Sequence, residues 1–94
     1  MALPFTMSVP LDPRYRVLAP QVAGKYAELE GGSPADGEAL AGALAAALDA
    51  IAATSSADAH ADLVFRREPE GVDIEVRSGT GSSHLRHRLP AAQR

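Results

Sequence analysis

The spacing of hydrophobic and polar positions changes period several times along the chain, and each change marks an element. Met7, Val9 and Leu11 alternate with Thr6, Ser8 and Pro10, the two-residue period of a half-buried strand. Pro10 has no N–H to give a ladder, so this strand lies at a sheet edge or ends there. Tyr15, Leu18, Val22, Tyr26 and Leu29 then recur at helical spacing behind Asp12 as cap and Pro13 at the first helical position. Pro20 interrupts that pattern and costs roughly 3 kcal/mol in a helix interior, which predicts a kink or a helix restarting near it. Gly31 and Gly32 stop the helix.

The second helix starts at Ser33 as cap, with Pro34 at the first position and Asp36 near the place of a capping-box acid. Leu40, Leu44, Leu48 and Ile51 share one face of it, and nearly everything off that stripe is alanine as far as Thr54. A small polar stretch follows. Leu63 and Phe65 then alternate, Glu68-Pro69-Glu70-Gly71 reads as a turn, and Val72, Ile74 and Val76 alternate with Asp73, Glu75 and Arg77. This is a hairpin with one apolar face and one solvated face. Leu85, His87 and Leu89 alternate with His84, Arg86 and Arg88, which suits a last strand, although so short a run also fits one or two helical turns.

Strand, helix, helix and hairpin together predict an α+β fold, a two-layer sandwich with helices on one face of a small antiparallel sheet. Its 94 residues form a single domain, 1–94, with loose ends expected at 1–6 and 90–94. Alanine supplies much of the 46% hydrophobic content and aromatics only 4%, so the core is thin. Cysteine is absent, which removes disulfides and thiolate metal sites. The start has neither a basic segment nor an apolar run of signal length, and no stretch approaches a membrane span, so a cytoplasmic protein is expected.

The formal charge of −3 conceals an asymmetry: residues 1–27 carry +2, residues 28–75 carry −9 and residues 76–94 carry +4. An arginine tail on an acidic body suits an anionic partner, or a tail folding back on its own acidic body or on that of a second copy. Without interleaved aromatics it is a poor nucleic-acid signal.

The segments VPLDPRYRVLAPQVAGKYAEL, the leucine-striped helix and ADLVFRREPEGVDIEVRSG together resemble the anti-sigma-factor serine kinases of the histidine-kinase-like ATPase superfamily, over about residues 7–80. What the resemblance implies about nucleotide is missing. The family's glutamate and its magnesium-ligating asparagine fall at Ala46 and Ala50, and a cation of this kind needs oxygen ligands. The family's adenine-reading aspartate falls at Ser78, with only Gly79 and Gly81 of its glycines. The resemblance therefore implies a degenerate relative, with a sigma factor or its antagonist as the partner class. An active ATP-dependent serine kinase and an unrelated dimeric scaffold are the alternatives.

The remaining candidates have simple readings. Gly79-Thr80-Gly81 is a turn with no lysine after it. His60, His84 and His87 lack a carboxylate between residues 76 and 94 to complete a metal shell, and Tyr15 and Tyr26 pack on one helix face. Asp73, Glu75 and Arg77 form the solvated sheet face. No cofactor, metal or catalytic residue is expected. The expected activity is non-catalytic regulation through protein–protein contact. A homodimer is expected, and the expected interface comprises the contiguous alanines Ala43, Ala46, Ala47 and Ala50, with Leu85, Arg86, Arg88 and Leu89 of a free strand edge.

Overall fold

A computed structural model describes residues 5–55, 59–79 and 81–89. Four strands, β1 (Phe5–Pro10), β2 (His60–Glu68), β3 (Gly71–Ser78) and β4 (Gly81–Arg88), form one antiparallel sheet in the order β1-β2-β3-β4. Three helices, α1 (Pro13–Arg16), α2 (Leu18–Leu29) and α3 (Pro34–Ala52), separate β1 from β2. The longer two cover one face of the sheet, giving the α+β sandwich that the pattern predicts. Loose ends were expected at 1–6 and 90–94; residues 1–4 and 90–94 lie outside the described residues, while Phe5 and Thr6 are paired with Phe65 and Val64.

The core is helix stripe on sheet face. Leu40, Leu44 and Leu48 pack against Leu63, Phe65, Val72, Ile74 and Val76, with Ile51 at the margin. Tyr26, Phe5 and Phe65 form a ring cluster at one end, with centroids 5.2 to 6.4 Å apart. Burial of the Tyr26 ring raises its phenol pKa.

The first helical segment restarts near Pro20, as its pattern predicts. Asp12 caps α1 by accepting from the N–H of Arg14, and the chain breaks at Val17 and restarts at Leu18. The restart puts Pro20 in the first turn of α2, where its missing N–H is no loss. It also separates Tyr15 from Tyr26: Tyr15 is exposed beside the Arg14 guanidinium, and the two do not share a face. Nor does α2 bury all of its large residues: Val22 and Tyr26 pack at the core margin. Ala19, Ala23 and Ala27 point inward, while Leu18 and Leu29 are exposed.

Close helix approach explains that choice. A Cβ on Gly37 of α3 would lie 2.9 Å from the Gly24 carbonyl oxygen of α2. The two backbones touch there, and only small residues fit between helices at that separation.

Ser33 and Asp36 form the full capping box at the start of α3: each side chain takes up the other's main-chain N–H. The same carboxylate reaches β4, where His87 Nε2 lies 3.0 Å from Asp36 Oδ1. The His87 contact and then the Ser33 N–H hold the Asp36 carboxyl below its ordinary pKa. A carboxyl lowered by folding contributes stability that is fully present above about pH 4 and is lost as the pH falls through its folded value. Asp36→Asn is expected to flatten the acid side of the stability curve, measured as denaturant midpoints at pH 6 and pH 3. A variant with the wild-type acid dependence would show that Asp36 gains nothing on folding.

Candidate functional site

Chemistry on this molecule is concentrated on the sheet face away from the helices. Asp73 and Glu75 lie on β3, an inner strand, and alternation turns them to that outer face. They are not solvated there. Asp73 is 3% exposed and Glu75 8%, because cationic side chains of β2, β3 and β4 cover them. Register explains the cover: Arg66 of β2 and Arg86 of β4 stand opposite Asp73, while Val64 and His84 stand opposite Glu75.

Asp73 lies 3.3 Å from His84 Nδ1, 3.4 Å from Arg86 Nε and 3.8 Å from Arg66 Nη1. Glu75 accepts from Arg77 and, at 3.3 Å, from Arg66. The Arg77 contact, helped by Arg66 and opposed by burial, lowers the Glu75 pKa. Buried carboxylates need such partners, since an uncompensated charge beneath a sheet face is strongly destabilising. The acids therefore sit beneath a cationic layer: Arg66, Arg77, Arg86 and His84 are all partly exposed.

The two edges of the sheet differ. At one, Leu11 N–H donates to the carbonyl of Ala59 at 2.9 Å, one step beyond the pair Pro10 and His60. Antiparallel ladders bond alternate residues. Phe5, Met7 and Val9 therefore bond β2, and Thr6, Ser8 and Pro10 turn their main-chain groups outward. At the other edge Leu89 N–H donates to Glu70 O at 2.9 Å. By the same alternation Ser82, His84, Arg86 and Arg88 present theirs outward. The β1 edge carries no charged residue; the β4 edge is basic.

The expected interface residues distribute unevenly over these surfaces. Ala43, Ala46 and Ala50 are exposed on α3, and Ala47 is half-buried. Ala43 and Ala47 share the flank of α3 from which Asp36 reaches His87, so they lie beside β4. Ala46 and Ala50 turn further out. Arg86 and Arg88 are exposed on β4, and Leu85 is half-buried against the core. Leu89, grouped with the interface by alternation, is instead 3% exposed and packs within the core cluster. It supports the edge from beneath.

A cleft of about 570 Å³ opens where α3 ends, lined by Ile51, Thr54, Ser55, Ser78, Gly79 and Ser83 among others. Of the positions that the resemblance assigns to nucleotide, Ser78, Gly79 and Gly81 line it, while Ala46 and Ala50 do not. Uncharged side chains line it among the described residues, and the hydroxyls of Thr54, Ser55 and Ser78 already donate to the carbonyls of Ile51 and His60. His84 and His87 face opposite sides of β4, one on Asp73 and one on Asp36. Among the described residues no cluster of three or more His, Asp or Glu side chains is placed to hold a metal ion, and no helix is long and apolar enough to cross a membrane.

No family model, curated protein or solved structure matches this chain.

The cationic layer was only partly readable. Alternation puts Asp73, Glu75 and Arg77 on one face, but the burial of the two acids follows from β3 being an inner strand, and strand order is not written in the spacing.

Proposed function

We propose that the chain is a non-catalytic protein-interaction domain that takes an acidic, extended segment of a partner along β4. The observation that carries this reading is the β4 edge itself. Its outward main-chain groups at His84 and Arg86 belong to residues whose side chains build the cationic layer, and those at Arg88 to a further exposed arginine beside Glu70. A strand added there would satisfy free N–H and C=O groups. Its alternate acidic side chains would meet Arg86 and Arg88, and its other side chains would lie against Leu85, Ala43 and Ala47. On the resemblance to anti-sigma-factor kinases, a sigma factor or its antagonist is the partner class to try first.

Nucleotide has no part in this reading. Ala46 and Ala50 supply methyl groups where magnesium would need oxygens, and the nearby cleft is lined by uncharged groups among the described residues. Two measurements test it. Calorimetric titration with Mg-ATP is expected to give no heat of binding, and micromolar affinity would overturn the reading in favour of a kinase. A synthetic peptide alternating glutamate and threonine is expected to bind in a salt-sensitive way, with binding lost in Arg86→Glu/Arg88→Glu and kept in Arg14→Glu. Equal binding by both variants would remove β4 as the site.

A further inference from the structure

We infer that the β1 edge is the self-association surface of this protein, where a second copy pairs β1 with β1 about a two-fold axis through Met7. The inference does not depend on the partner reading of β4, because it uses the opposite edge of the sheet.

Three observations converge on β1. The first is its main chain. Thr6 and Ser8 turn both N–H and C=O outward, whereas Pro10 turns outward only a carbonyl. A two-fold axis at Met7 sets Thr6 against Ser8 of the second copy, and Ser8 against its Thr6, so each pair exchanges two hydrogen bonds. An axis at Ser8 would instead set Thr6 against Pro10, which has no N–H to return. The register centred on Met7 is the one that uses the free donors and leaves the proline beyond the pairing.

The second observation is charge. Phe5–Pro10 contains no ionisable side chain, so two copies approach without repulsion. The β4 edge cannot do the same: pairing it with itself sets His84, Arg86 and Arg88 against one another, and like charges opposite each other in a ladder are unfavourable. Joining β1 of one copy to β4 of the next would give a head-to-tail contact that need not close. The two-fold β1 pairing closes.

The third is the apolar flank above the edge. Gly24 faces α3, so the opposite side of α2, bearing Leu18, Val22 and Leu29, projects over β1, where Tyr26 already stacks on Phe5. Leu29 is 74% exposed, Leu18 47% and Phe5 43%. In a domain whose α2 fully buries only alanines, Leu18 and Leu29 of this helix are left beside an edge that is uncharged and, among the described residues, open. Pairing at β1 brings the two α2 helices alongside each other and covers these groups, with Phe5 near Val9 of the second copy and Met7 against its equivalent. Lys25, on the same flank, lays its aliphatic stem along the contact and keeps its ammonium in water.

Light scattering on the whole chain at micromolar concentration is expected to report twice the 9.8 kDa chain mass. Ser8→Pro removes an outward N–H without touching the ladder to β2, and Leu29→Lys charges a residue that makes no core contact. Both are expected to halve the mass while keeping the wild-type circular dichroism. Leu29→Lys leaves the main chain unaltered, so it decides the matter even if Ser8→Pro perturbs the strand. Arg88→Glu, which leaves the Arg86–Asp73 pair intact, is expected to stay dimeric. A monomeric wild type overturns the inference, and so does a dimer that survives Leu29→Lys or is lost in Arg88→Glu.

Discussion

Leu44→Ala is expected to lower stability by about 2 to 5 kcal/mol, the range for emptying a fully buried leucine site. Leu44 has no exposed surface and sits mid-stripe on α3 between Leu40 and Leu48, above the hydrophobic face of β2 and β3. Its neighbours cannot collapse into the gap, because they are anchored on a helix whose approach is limited by backbone contact with α2 and on a sheet fixed by its own ladder. Domains of this size have a total stability of roughly 5 to 15 kcal/mol, so the loss is a large fraction of the whole. At roughly 4 to 8 °C per kcal/mol, melting by circular dichroism should fall by about 8 to 40 °C. A variant melting within a few degrees of the wild type would mean that the stripe does not face the sheet.

Gly37→Val and Gly42→Val test the helix pair with one chemical change at two places on α3. At Gly37 the new Cβ would stand 2.9 Å from the Gly24 carbonyl oxygen and 3.2 Å from the Glu28 carboxylate. The carbonyl belongs to a helix backbone and cannot step aside alone, so α2 and α3 must move apart. Overpacking of this kind costs about 1 to 3 kcal/mol, and the displacement spreads to the buried alanines of α2. At Gly42 a Cβ meets nothing within 4 Å. There valine only replaces glycine in a helix interior, which is favourable by a few tenths of a kcal/mol at most. Denaturant midpoints should therefore fall for Gly37→Val and hold or rise slightly for Gly42→Val. Equal effects at the two sites would remove the close crossing.

Particular residues show what could be read from the chain. The leucine stripe of α3, the Ser33 and Asp36 box and the hairpin around Glu70 and Gly71 were legible because each rests on local spacing with one strong interpretation. At Gly71 local chemistry and tertiary packing agree: a Cβ there would lie on the His87 carbonyl of β4. The inward face of α2 was not legible. Ranking residues by hydrophobicity selects Leu18 and Leu29, but the contact with α3 admits only residues as small as Ala23, Gly24 and Ala27, and that distance is a tertiary fact. The restart at Leu18 was half legible, since Pro20 announces an interruption without saying on which side of it the helix resumes.

The surfaces follow the same division. Charge along the sequence separates a basic end from an acidic middle, and Arg86 and Arg88 could be picked out as an exposed edge. The burial of Asp73 and Glu75 beneath that edge's side chains needed the strand order. So did the contrast between an uncharged β1 and a basic β4, because only the sheet order makes both of them edges.

That contrast is the centre of the functional reading: one edge joins copies, the other stays open for a partner. Residue-resolved amide hydrogen exchange on the protein alone, at micromolar concentration, tests it directly. Met7 and Val9 are bonded to β2 in any case. The outward amides of Thr6 and Ser8 are expected to be protected as well, and to lose that protection on dilution, while the outward amides of Ser82, His84 and Arg86 exchange rapidly at every concentration. Fast exchange at Thr6 and Ser8 together with protection at His84 and Arg86 would contradict the account, because the copies would then meet through the edge assigned to the partner.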